Sequence, residues 1–114
     1  MAMTEIDFTR DICPDTRRFQ LDADNAKATQ INLPHWVRKV TIRIEFGPGA
    51  RISFLEGSGD DINADFIKLD GHAMNEFTVW DGYNHANSID KFYIANNASF
   101  STAQWVSVMI EGAQ

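Results

Sequence analysis

The chain has 114 residues, 10 Lys and Arg against 16 Asp and Glu, a formal net charge of −6 and a single cysteine. That length makes one domain and buries enough surface to fold without disulfides. No apolar run approaches the roughly 20 residues of a membrane-spanning helix, the acidic balance argues against a nucleic-acid surface, and one cysteine, Cys13, excludes an internal disulfide or a Cys-rich zinc site.

Residues 1–14 are weakly patterned and read as an N-terminal arm or an edge strand, leaving 15–114 as a single sandwich domain. The first residues carry neither the basic nor the apolar stretch of a secretory signal. Whether Met1 and Ala2 are native, or the natural start is Met3, stays open. From there on, period-2 alternation replaces any helical pattern. Arg17 to Leu21 places Phe19 and Leu21 on one face, and Ala28 to Leu33 places Ile31 and Leu33 on one face before Pro34. Arg38 to Phe46 alternates fully: Val40, Ile42, Ile44 and Phe46 point one way, Lys39, Thr41, Arg43 and Glu45 the other, as a half-buried antiparallel strand requires. Gly47-Pro48-Gly49 then reads as a turn that folds Arg51 to Glu56 back as a hairpin partner, with Ile52 and Phe54 inward. Asp65 to Leu69 (Ile67 and Leu69 inward), Glu76 to Trp80, Asp90 to Ala95 and Gln104 to Glu111 continue the rhythm, separated by Gly-, Asn- and Asp-rich spacers. Roughly eight short strands at this spacing predict an all-β, antiparallel β-sandwich of jelly-roll type.

Few residues carry candidate chemistry. Asp60, Asp61, Asn63 and Asp65 offer alternating oxygens of the kind that begin a calcium loop, but Phe66 and His72 stand where an EF-hand needs Gly and a bidentate Glu; calcium binding and a solvated acidic turn both remain open. His72 and His85 fall in turns near acids, yet there is no His-x-His pair of a metal-binding cupin. Cys13 lacks the histidine partner and positive setting of a nucleophile. No glycine-rich phosphate cradle and no nucleophile elbow are present. The expectation is a protein with no catalysis, no cofactor and no metal. The aromatics are more informative: Trp36, Trp80, Tyr83 and Tyr93 fall at strand ends, in loops or out of core phase. Such rings stack on sugars, meet other subunits or pack within the sheet.

The stretch Ala28-Thr29-Gln30-Ile31-Asn32-Leu33-Pro34 leading into Val37-Arg38-Lys39-Val40-Thr41-Ile42, and the last strand Trp105-Val106-Ser107-Val108-Met109-Ile110-Glu111-Gly112, resemble the head-decoration or cement-type β-sandwich proteins of tailed bacteriophages. That resemblance implies a viral structural protein, placed in the virion after assembly in the host cytoplasm. Its partner would be a capsid or other virion protein, its form a homo-oligomer such as a trimer, and neither nucleic acid nor membrane would be bound. One free cysteine suits assembly in a reducing cytosol. The N-terminal arm, with Ile6 and Phe8, is the expected contact with a partner chain by strand addition, joined by Trp36, Trp80 and Tyr83. A carbohydrate-binding or lectin-like module using the exposed Trp and Tyr is the alternative.

Overall fold

The structure, a computed structural model, describes residues 4–8, 14–24, 27–34, 36–45, 49–54, 66–71, 74–78, 91–97 and 102–112. Among them run nine strands: β1 (Thr4–Asp7), β2 (Asp15–Gln20), β3 (Thr29–Asn32), β4 (Val37–Ile44), β5 (Ala50–Ser53), β6 (Ile67–Leu69), β7 (Met74–Thr78), β8 (Lys91–Asn96) and β9 (Trp105–Gly112). They form a five-stranded sheet in the order β1-β3-β8-β5-β6 and a four-stranded sheet in the order β2-β9-β4-β7. The antiparallel pairs are nested along the chain: β2 with β9, β3 with β8, β4 with β7, β5 with β6. A single long hairpin with its tip at β5–β6, rolled so that successive pairs fall in alternate sheets, gives this arrangement. It is the jelly-roll sandwich that the strand rhythm predicts.

Strand alternation supplies the core between the sheets. Val40, Ile42 and Ile44 of β4 and Val106, Val108 and Ile110 of β9 are fully buried, opposite Ile31, Ile52, Phe92 and Ile94 of the other sheet. Burying each such side chain stabilises by about 1.5–3 kcal/mol. Phe54 packs against Phe92 with ring centroids 6.3 Å apart in a tilted arrangement, one of the geometries aromatic pairs favour.

The chain departs from the local expectation in four places. The predicted hairpin across Gly47-Pro48-Gly49 does not form: β4 lies in the four-stranded sheet and β5 in the other, paired to β6 and β8. The chain therefore passes from one sheet to the other between β4 and β5. Gly49 has φ 103°, and a Cβ there would collide with the Leu69 carbonyl oxygen, so glycine is required by both backbone and space. Ile67, expected inward, is 56% exposed at the edge strand β6, whereas Leu69 is buried. β1 joins the five-stranded sheet parallel to β3, the one parallel pair among the described strands. It is tied down by side chains: Gln30 and Asn32 donate to the Glu5 carboxylate at 3.2 and 3.0 Å, and Asn32 donates to Asp7 at 2.6 Å. Arg17 donates to the Asp7 carbonyl at 2.8 Å. Finally, Phe8 is 6% exposed and belongs to the core, with Ile6 packed against it. Phe8 is thereby covered by the protein's own core instead of exposed for a partner chain, while Ile6 stays half-buried.

One end of the sandwich is closed by polar groups. Gln104, fully buried, donates through Nε2 to the Gly49 carbonyl at 2.8 Å and to Asn96 Oδ1. Asn96 donates in turn to the carbonyls of Asp22 (3.0 Å) and Thr102 (2.9 Å), and its own carbonyl accepts from Arg51 Nε at 2.9 Å. These bonds tie the chain around Asp22, Gly49, Asn96 and Thr102 together at this end, in addition to the pairing of β5 with β8.

Candidate functional site

Among the described residues, the outer face of the four-stranded sheet is an open surface with a depression in it. Its composition follows from alternation: where Val40, Ile42, Val106 and Val108 point inward, Lys39, Thr41, Arg43, Ser107 and Met109 must point out. Register then sets neighbours across strands. Thr16, Met109, Thr41 and Glu76 form one row, and Arg18, Ser107, Arg43 and Met74 form the next. Such cross-strand neighbours stand close enough to interact directly.

The charges at the ends of this face are paired. Arg18 makes a bidentate contact with Glu45, at 2.8 Å from Nε and 3.3 Å from Nη2, and its guanidinium carbon sits 3.9 Å above the Trp105 ring centroid. Lys39 lies 3.4 Å from Glu76 and 3.7 Å from Glu111. Between these clusters is a shallow depression of about 260 Å³ lined by Thr16, Thr41, Arg43, Met74, Ser107 and Met109. Thr41 is 4% exposed, and its Oγ1 has no hydrogen-bond partner. Met74 is 66% exposed. The arrangement offers ionic and hydrogen-bonding contacts framed by flexible apolar side chains.

The expected site residues do not gather here. Trp36 is half-buried against the core and against Gly112, whose missing side chain leaves room for its ring. Ile6 lies in β1 of the opposite sheet, Phe8 follows it in the core, and Tyr93, in β8 of that sheet, is buried and not exposed as expected. Trp80 and Tyr83 lie outside the described residues, as do Cys13, His35, His72, His85 and the candidate calcium ligands Asp60, Asp61, Asn63 and Asp65. Among the described residues no group of three or more His, Cys, Asp or Glu gathers to hold a metal, and no helix is long and apolar enough to cross a membrane. Sequence reasoning missed Arg18, Trp105 and the Thr41–Arg43 depression. The outward phase of Thr41 and Arg43 was readable, but their neighbours on β2, β7 and β9 are set by register across a long-range topology.

No protein-family model matches the chain. No curated protein matches it in sequence. In fold it is similar to a crystal structure of PliG from Aeromonas hydrophila, a periplasmic lysozyme inhibitor of g-type lysozyme. The match has a TM-score of 0.54 and 11% identity, and spans 96% of this chain and 98% of that one. The likeness to phage decoration proteins is corrected by this finding, because the fold match is to a bacterial inhibitor and no virion similarity accompanies it. The capsid partner, the virion location and the trimer implied by that family fall with it. The lectin-like alternative gains no support either. The physical reason is that strand rhythm and composition report burial on a two-faced sheet, and many unrelated jelly rolls share them.

Proposed function

We propose that this chain is a non-enzymatic inhibitor that binds a lysozyme, the enzyme class named for the protein it resembles in fold. The observation that carries the reading is the superposition of nearly the whole of both chains. What the two chains share is the sandwich, so this reading assigns the partner surface to the sandwich. Inhibiting a glycosidase requires only that its cleft, where two carboxylates act on the glycan, be obstructed or distorted; no catalytic group is needed on the inhibitor. The net charge of −6 favours encounter with a basic enzyme. The test is clearance of a peptidoglycan suspension by g-type lysozyme, and by lysozymes of other types, with increasing amounts of this protein. Stoichiometric loss of lysis, with a complex seen by light scattering, is the expected result. Full lysis by every enzyme in molar excess of the protein, with no complex formed, overturns the reading.

A further inference from the structure

The charged side chains on the outer face of the four-stranded sheet are unequally paired. Its regular outward positions include, among the described residues, the cations Arg18, Lys39 and Arg43 and the acids Glu45, Glu76 and Glu111, while Arg38, at the bulge beside Lys39, has a partner of its own. Arg18 is paired with Glu45, and Lys39 lies between Glu76 and Glu111. Arg43 is exposed and makes no ion pair. Beside it, Thr41 Oγ1 is buried without a partner, a state that costs free energy until a suitable group arrives. Both residues line the same depression, between Met74 and Met109.

We infer that Arg43 and Thr41 form the receptor for an acidic side chain of the protein partner, an inference that rests on the inhibitor reading and names the chemistry of its contact. A carboxylate accepts two parallel N–H bonds from a guanidinium and a further O–H bond from Thr41, which ends that hydroxyl's isolation. The methionines select for a side chain over a free anion: their flexible thioethers adapt to the methylenes of Asp or Glu, while a hydrated small anion gains nothing from them.

The test measures binding of g-type lysozyme by calorimetry at low and moderate salt, for the wild type and for four variants. Arg43→Gln is expected to weaken binding about tenfold or more, and Arg43→Glu further, because a like charge then faces the acid. Thr41→Val is expected to weaken binding by about threefold, the share of one hydrogen bond, without lowering the melting temperature. Arg18→Gln, which removes a cation already paired on the same face, is expected to stay within about twofold. Wild-type binding that Arg43→Gln and Arg43→Glu leave unchanged overturns the receptor while the inhibitor reading stands. A wild type that binds no lysozyme overturns the inhibitor reading, and the receptor with it.

Discussion

The two sheets share the chemistry of their inner faces and differ on their backs. Behind the five-stranded sheet, Tyr93 and Ala95 of β8 and Arg51 and Ser53 of β5 are at most 3% exposed, so these strands are buried on both sides. Behind the four-stranded sheet, Arg18, Arg43, Met74 and Glu76 reach solvent. A strand covered on both faces is committed to stability, and a change there disturbs packing in two directions. A strand with a wet face separates the two demands, because alternate residues hold the core while those between them are free to recognise a partner. The same chain thus carries a closed sheet that holds the fold and an open sheet that can acquire specificity without losing it.

Mutations that test this contrast run from the closed side to the open one. The largest effect is expected at Gly49, where the chain enters the closed sheet with φ 103° and the Leu69 carbonyl blocks any Cβ. Gly49→Ala combines backbone strain with overpacking, about 3–5 kcal/mol together, and should leave little folded protein at ambient temperature by circular dichroism. Next is Gln104→Leu, which strips the Gly49 carbonyl and Asn96 Oδ1 of their donor. Leaving such buried acceptors unpaired costs about 2–3 kcal/mol, offset in part because the variant also removes Gln104 Oε1, which is buried without a partner; the net loss of about 1–2 kcal/mol is read as a lower denaturant midpoint at constant slope. A loss below about 0.5 kcal/mol, the size of an ordinary surface substitution, would mean that water replaces the amide and that this end of the sandwich is open.

Tyr93 sharpens the contrast in the opposite direction. It is 2% exposed, and its hydroxyl has no partner. Tyr93→Phe removes an unsatisfied polar atom from the covered back of the sheet and should stabilise by about 1 kcal/mol, a rise of roughly 4 °C in melting temperature. A fall instead would show that the back of β8 is wet and that the two sheets are alike.

How much of this was legible beforehand depends on the range of the interaction. Val40, Ile42 and Ile44 on one side and Lys39, Thr41, Arg43 and Glu45 on the other could be assigned from alternation within a single strand, because burial on one face imposes it. Strand count and spacing likewise pointed to the jelly roll. The Gly-Pro-Gly hairpin failed because a turn's residues report that the chain bends and carry no information on which sheet receives it; β5 was claimed by β6 and β8. Ile67 failed because an edge strand exposes positions that a central strand buries. The burial of Phe8 could not be read from its own weakly patterned segment, because the core cluster that it joins is drawn from strands along the whole chain. The depression at Thr41 and Arg43 depends on four strands in register, a property that no single segment encodes.

The smallest effect is expected on the open face, at Arg18. Its guanidinium stacks 3.9 Å over Trp105 and pairs with Glu45, yet its side chain remains 53% exposed. Water and salt compete for both contacts, and ordering two long side chains opposes the gain. Arg18→Gln should therefore cost only about 0.5 kcal/mol, with the ionic part of that cost fading as salt is raised, while the cation–π contact and the stem's packing on Trp105 account for what persists. Unfolding of wild type and variant at low and high ionic strength separates these parts. A salt-independent loss as large as that of Gln104→Leu would place Arg18 among the groups that hold the sandwich together. The four-stranded sheet would then be structural on both faces, and recognition would have to be sought at the ends of the strands.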